Sequence, residues 1–300
     1  DPLLQPFTLK HLTLKNRIIS TSHEPAYSEE GLPKTRYRLY HEEKAKGGLA
    51  LTMFGGGTLV APDAAPAYGN LYAGDDRIVP YFRTLAEAVH RHGAATMCQI
   101  THLGRRTSSY AGHWLPAIAP SPIREPAHRA FPKAMEDWDI RRVVRSYGAA
   151  AIRCRDGDLD GIEVEAYGHL FDSFWSPALN HRTDRYGGSL ENRMRFGIEV
   201  LQEIRRQVGD DYIVGIRMVF DEMLDGGLVF DEGMKIGEIL TNSGLIDFIS
   251  VIRGHIDTSA GLADVIPNMG TPGAPHLAFA GEIKRAFDLP VMHAARINDV

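Results

Sequence analysis

Residues 159–196 read LDGIEVEAYGHLFDSFWSPALNHRTDRYGGSLENRMRF. The stretch opens on a short alternation, Gly161-Ile162-Glu163-Val164-Glu165-Ala166, which predicts a buried strand. A loop rich in aromatics, His and Asn follows. Tyr186-Gly187-Gly188-Ser189 then leads into a helix expected from about residue 190. Glu163 and Glu165 stand at alternate positions, so they share one face of the strand. In a barrel strand that face is the interior, and two interior carboxylates need cations, hydrogen bonds or raised pKa values. Glu165, nearer the strand exit, is the better candidate for chemistry; Glu163 is a candidate internal anchor. His169 alone is more often structural than catalytic. Tyr167, Phe171, Phe174 and Trp175 either wall a cation-accepting pocket or belong to the core, and the core reading is favoured for the two phenylalanines.

Working outward, the pattern repeats. Residues 7–16 alternate like a small hairpin, and strands are expected over 17–22, 49–54, 94–100, 161–166, 212–218, 246–252 and 290–294. Helices are expected over about 35–46, 78–92, 138–154, 190–208, 232–242 and 277–287. Ile78, Phe82, Leu85, Ala86 and Val89 share one face of the second helix, and Ile140, Val143, Val144, Tyr147, Ala151 and Cys154 one face of the third. Regular alternation implies parallel strands with right-handed crossovers. A (β/α)8 TIM barrel and a doubly wound sheet both fit. No GxGxxG follows the first strand, and polar residues follow nearly every strand, so the barrel is favoured. The whole chain reads as one such domain with its eighth strand absent. Because the chain starts without Met and stops at Val300 in mid-pattern, we expect a piece of something longer. Two open sheet edges predict that this fragment alone is unstable; cooperative melting with full cofactor occupancy would count against that.

At 300 residues with 44% apolar and 24% charged content, the composition is that of an ordinary soluble globular protein. The net charge of −5 leaves no footprint for nucleic acid or an anionic membrane. No apolar run approaches the ~20 residues of a membrane helix, and no signal peptide opens the chain. The 2 cysteines, Cys98 and Cys154, form no CxxC, so neither a disulfide scaffold nor a thiolate metal site is expected. A reducing cytoplasm is the default setting and a homo-oligomer the expected assembly. His90 and His92 sit near a helix end, facing solvent, and are rejected as metal ligands.

Several strand exits carry candidate ligand contacts. Three glycines, Gly55 to Gly57, either let a ligand approach the backbone or form a flexible turn. Gln99 ends an apolar strand, where its amide suits the edge of a heteroaromatic ring or merely caps the strand. Arg217 lies within a buried strand pattern and needs a partner, either an anionic ligand or a neighbouring carboxylate.

Together these segments resemble the old yellow enzyme family of flavin oxidoreductases. The matching runs are Asn16-Arg17-Ile18, Gly47-Gly48-Leu49-Ala50-Leu51, QITHLGR at 99–105, SPALN at 176–180, RTDRYGGSLENR at 182–193 and Ile216-Arg217, in the family's order and over almost the whole chain. The larger members are the most similar, such as trimethylamine dehydrogenase and 2,4-dienoyl-CoA reductase. EVEAYGHLFDSFWSP and residues 124–140 resemble the dimethylglycine and N-methylproline demethylases above all.

The resemblance implies noncovalent FMN at the C-terminal mouth of the barrel. Ser22 and His23 would lie along the flavin, Gly55 and Gly56 close to its ring, and Gln99 at its pyrimidine edge. Arg217 would stabilise charge at N1 and O2, and Ala294-Ala295-Arg296 would hold the phosphate. Where trimethylamine dehydrogenase carries a flavin-linked cysteine, this chain has Glu24. An iron–sulfur cluster and a second nucleotide or flavin site belong, in the larger relatives, to sequence beyond residue 300.

Ene reductases of the family bind an enone oxygen through His-His or His-Asn. Here the first position reads Glu165, the loop is one residue shorter, and the second reads Tyr167. A carboxylate repels an enolate and suits a substituted ammonium. The expected reaction is therefore oxidative N-demethylation of an amine or N-methyl amino acid by hydride transfer to flavin N5. Glu165, Tyr167 and His255 are the candidate proton acceptors. Glu24, His102, Trp175 and Arg253 are candidate substrate contacts, with Arg253 or His23 pairing a carboxylate. An electron-transfer flavoprotein or NAD(P) would take the electrons. The rivals are NAD(P)H-dependent ene or dienoyl reduction, and a flavin-binding barrel that serves only as an electron-transfer or regulatory module.

Overall fold

The computed structural model describes residues 1–64, 69–107 and 115–298. A hairpin of β1 (Phe7–Leu9) and β2 (Leu12–Leu14) precedes β3 (Ile19–Ser20), α1 (Thr35–Lys46), β4 (Leu51–Leu59), α2 (Val79–His90) and β5 (Ala95–Thr101). Next come β6 (Ile118–Ala119), β7 (Lys133–Ala134), α3 (Asp137–Asp156), β8 (Gly161–Ala166), α4 (Leu170–Ser173) and α5 (Leu190–Val208). The last elements are β9 (Ile213–Val219), α6 (Phe230–Asn242), β10 (Phe248–Ile252), α7 (Ser259–Val265), α8 (Leu277–Ala286) and β11 (Val291–His293).

Seven strands form one parallel sheet in the order β3-β4-β5-β8-β9-β10-β11. Alternation along each strand divides the residues between two faces. The outer set, including Phe54, Cys98, Ile162, Val164, Val214, Ile216, Ile249 and Val251, packs in one apolar cluster with the helices. The inner set, Leu51, Met53, Ala95, Met97, Ile213, Phe248 and Met292, forms a second cluster with Leu9 and Leu14. Leu51 and Met292 come from opposite ends of the strand order, so the sheet curls into a barrel wall. The β1–β2 hairpin plugs its lower end. Two inner glycines make room there. A Cβ on Gly161 would sit 2.7 Å from the Ile213 carbonyl, and one on Gly215 would meet the Phe248 ring at 2.0 Å. The fold is thus an α/β barrel with one strand missing: among the described residues, β3 and β11 each have one strand neighbour.

Above the apolar plug the inner face turns polar. Gln99 is in register with Glu163, Glu165 with Arg217, and Arg217 with Ser250. These layers floor the mouth, the end of the sheet from which the loops rise.

One difference from expectation bears on the site. Strand β4 continues through the three glycines to Leu59. Its pairing with β5 moves from Phe54↔Cys98 to Thr58↔Ile100, so the glycines form a bulge. Gly55 and Gly57 have φ of +90° and +93°, and a Cβ on Gly56 would lie 2.1 Å from the Glu24 nitrogen. The glycines are needed for close approach of two backbones. The two-residue parallel pair β6–β7 lies between β5 and α3; residues 108–114 lie outside the described residues.

Candidate active site

A cavity of about 620 Å³ opens over the polar floor. Ser22, His23, Glu24, Gly56, Gln99, Glu165, Tyr167, Arg217, Ala294, Ala295 and Arg296 line it, so most residues singled out from the sequence converge there from six strand exits.

The two interior carboxylates differ. Glu163 accepts hydrogen bonds from Gln99 Nε2 at 2.6 Å and Ser22 Oγ at 3.3 Å, which anchors it within the floor. Burial pushes its pKa up, against the pull of Arg217 and Gln99. Glu165 faces the cavity. Its Oε2 lies 3.5 Å from His169 Nε2 and, among the described residues, accepts no hydrogen bond. Desolvation drives the Glu165 pKa up to about 8, although Arg217 opposes the shift. The group is thus a neutral acid at neutral pH, whereas the sequence alone suggested a carboxylate. Tyr167 is raised by burial as well, so its hydroxyl keeps its proton. His169 lines the cavity too. Burial, then Arg106, lower its pKa to about 3, so its imidazole is neutral.

The opposite wall is set by the strand after the hairpin. His23 Nε2 lies 2.8 Å from the Tyr40 hydroxyl, and burial followed by Lys44 lowers its pKa. Glu24 Oε1 accepts from the Ala26 N–H at 2.8 Å while Oε2 is buried and, among the described residues, has no hydrogen-bond partner. Burial raises Glu24 to about 7. Arg217 Nη1 is buried at the floor and, among the described residues, has no hydrogen-bond partner. At the rim, Ala295 and Arg296 have φ of +114° and +49°, and the Arg296 guanidinium donates to the carbonyls of Asn268 and Thr271.

Five expected site residues lie outside this cavity. Gly55 turns its N–H to the Tyr37 hydroxyl at 2.9 Å. His102 is fully buried; its Nε2 meets Asp63 at 3.2 Å and its Nδ1 accepts from Gly104 N–H at 3.0 Å. Asp63 also takes Arg142 at 2.9 Å, so this group ties the β5 exit to α3. Trp175 is fully buried, edge-on to Phe171 at 5.2 Å. Arg253 pairs with Asp221 at 3.6 Å and lies over the Phe279 ring. His255 is held by the Glu222 carbonyl at 3.0 Å and Thr258 Oγ1 at 3.2 Å.

The residues missed are Arg106 and an apolar wall of Ile252, Ile256, Leu262, Val265, Ile266 and Pro267. Most of the wall belongs to α7 and its flanks. Its signals were a Thr258 cap, which accepts from Gly261 N–H at 3.0 Å, and apolar Leu262, Val265 and Ile266 at helical spacing.

The most recognisable segment, RTDRYGGSLENR, lines none of this cavity. Arg182 donates to the carbonyls of Pro120 and Met135 at 3.1 and 2.7 Å. Asn180 binds the carbonyls of Phe174 and Tyr186 at 2.7 and 2.8 Å, and Arg193 binds Glu232 at 2.5 Å. Asp172 caps the active loop from beneath, accepting from the N–H groups of Gly168 at 2.6 Å and His169 at 3.0 Å. The segment holds the loop after β8 in shape.

Comparison with known proteins places the chain in a family. The chain is 56% identical over 300 residues to a probable N-methylproline demethylase of Rhizobium meliloti (strain 1021), covering 100% of this chain and 44% of that protein. It is 54% identical over 301 residues to a multifunctional alkene reductase/demethylase of Caballeronia cordobensis, again 100% of this chain and 44% of the relative. The chain therefore spans a little under half the length of these relatives. Among solved structures, a 2-naphthoyl-CoA reductase complex superimposes with a TM-score of 0.92 at 26% identity, over 99% of this chain and 47% of that one. A family model matches residues 2–298, nearly every residue that builds the barrel and its mouth, and the chain belongs to the NADH:flavin oxidoreductase / NADH oxidase family of FMN-dependent oxidoreductases.

Proposed function

We propose that this chain is the FMN-binding barrel domain of an enzyme that oxidatively demethylates an N-methyl amine or N-methyl amino acid. The observation that carries the reading is Glu165, a buried acid that lines the cavity beside Tyr167 and whose Oε2, among the described residues, accepts no hydrogen bond. The flanking residues fit FMN. The unpartnered Nη1 of Arg217 offers a donor to an electron-rich ring edge, and the left-handed turn at Ala295 and Arg296 offers backbone to a phosphate. Arg217, Gln99, Ser22, His23, Gly56 and the turn Ala294 to Arg296 would hold it, without a covalent bond at Glu24.

Bound FMN supplies the two-electron oxidant that takes hydride from the N-methyl carbon. The chain's own residues supply the rest. The amine reacts as its free base, so the ammonium must first lose a proton. Glu165, with a pKa of about 8, accepts it in its ionised form, whose share grows as pH rises through 8. Tyr167 lines the cavity beside Glu165 and orients the amine. The product iminium then hydrolyses to formaldehyde and the demethylated amine. His255, with both ring nitrogens engaged outside the cavity, leaves the proton-acceptor role to Glu165. The electrons pass on to an electron-transfer flavoprotein or NAD(P).

A specific observation favours a second activity in the same site. Below pH 8 a protonated Glu165 donates a hydrogen bond, as alkene reduction requires at the carbonyl oxygen. The relative described as both alkene reductase and demethylase supports pairing the two reactions.

The test follows the flavin band near ~450 nm anaerobically in FMN-loaded protein on addition of dimethylglycine, N-methylproline or an enone. Bleaching by an N-methyl compound with release of formaldehyde is expected. No bleaching by any amine, with reoxidation of NADPH-reduced flavin by an enone, would leave reduction as the only reaction.

A further inference from the structure

If the substrate is an N-methyl amino acid, something must read its carboxylate. The two groups expected to do so are unsuited. Arg253 lies outside the cavity against Asp221, and His23 turns its Nε2 to the Tyr40 hydroxyl. The arginines that line the cavity are Arg106, Arg217 and Arg296. Arg217 sits in the floor, in register with Glu165, and Arg296 is held at the rim by the carbonyls of Asn268 and Thr271. Arg106 hydrogen-bonds the loop that carries Tyr167 and His169: its Nε donates to the Gly168 carbonyl at 3.2 Å.

Arg106 is also built in place. It is 4% exposed. Its Nη2 meets Asp257 Oδ1 at 2.7 Å and Glu125 Oε1 at 3.1 Å. Asp257 Oδ2 takes Arg105 at 2.6 Å, so two arginines and two acids balance in charge. Nε and Nη2 are thus committed to protein acceptors. Among the described residues, Nη1 has no hydrogen bond, and the side chain lines the cavity. A guanidinium fixed on one edge and open on the other is preorganised for a carboxylate and cannot swing away from it.

We propose that Arg106 is the specificity residue of this site, binding the substrate carboxylate through Nη1 so that the N-methyl nitrogen sits beside Glu165 and Tyr167. The inference rests on the demethylase reading and narrows it to N-methyl amino acids. The apolar wall of Ile256, Leu262, Val265 and Ile266 on the same side suits a compact alkyl or ring skeleton between the two polar ends.

The experiment compares N-methylproline with N-methylpyrrolidine, which lacks the carboxylate, in FMN-loaded wild type, R106M and R106K. It also titrates non-oxidisable proline by its perturbation of the flavin spectrum. A charged hydrogen bond of ordinary strength predicts that R106M raises KM for N-methylproline, and Kd for proline, by about 10- to 100-fold. The N-methylpyrrolidine KM should stay within about twofold. If R106M loses FMN, R106K decides: the charge is kept but the fork is lost, and proline should still bind about tenfold more weakly. Unchanged KM and Kd in both variants overturn the proposal, as does wild type that handles both substrates equally. Wild type that binds proline but oxidises no N-methyl compound would instead overturn the demethylase reading and leave the carboxylate site standing.

Discussion

Replacing Glu165 by Gln separates the two activities of this mouth. The pKa of about 8 means that Glu165 is ionised in roughly one molecule in eleven at pH 7 and roughly ten in eleven at pH 9. Demethylation needs the ionised form, so kcat/KM for an N-methyl substrate should climb about tenfold between those pH values from Glu165 alone. Alkene reduction needs the protonated form, so its rate should fall over the same interval. Glutamine fills the same space and donates a hydrogen bond, but it cannot accept the ammonium proton. E165Q should therefore lose about 10²- to 10⁴-fold in demethylation while keeping alkene reduction within about tenfold. The substrate amine titrates in the same range, and that contribution is common to both proteins. The ratio of wild type to E165Q, measured by stopped-flow bleaching across pH, isolates the residue. A ratio near one at every pH, or parallel losses in both reactions, would refute the assignment of Glu165 as base.

Three further outcomes follow from geometry already described. R217M removes a cation whose Nη1, among the described residues, has no hydrogen-bond partner; FMN, followed by fluorescence, should bind about 10- to 100-fold more weakly. G56A forces a Cβ to within 2.1 Å of the Glu24 nitrogen; it should destabilise by about 1–3 kcal/mol in urea unfolding and release FMN. Stability of the FMN-free protein should fall by roughly 2–3 kcal/mol between pH 6.5 and 8. In that window Asp172 and Glu24, both raised by burial to about 7, and Glu165, raised to about 8, still hold protons that the unfolded chain has shed. Their contribution is present in full below the unfolded pKa and lost as pH rises through the folded one. His169 and His41, both lowered to about 3 by burial, act in the opposite sense mainly below 6.5 and return about 0.8 kcal/mol within the window. Denaturant midpoints at several pH values check the slope; a flat profile refutes it.

What the sequence disclosed depended on range. Alternation and helical spacing are local, so helices over 35–46 and 190–208 and the interior face shared by Glu163 and Glu165 were legible. Partnership is not local. Nothing near His102 in sequence announces Asp63, and nothing near Arg253 announces Asp221, so both looked like free strand-exit groups. Trp175 looked like a pocket wall because its packing partner, Gly197, lies a full helix segment away. Arg106 was hidden for the complementary reason. It followed the better-known HLGR run, and its acids, Glu125 and Asp257, come from two other loops. The ionisation of Glu165 was also beyond reach, since burial sets its sign and burial is a property of the closed mouth.

The bulge in β4 carries a further consequence. Four residues advance along β4 from Phe54 to Thr58 while two advance along β5 from Cys98 to Ile100. The surplus is two, an even number, so inward and outward positions resume unchanged beyond it. The wall can bow toward the mouth without turning its lining inside out. Length changes at this point are therefore quantised: related chains should gain or lose residues here in pairs, each pair altering the depth of the mouth, and a single-residue change should be absent.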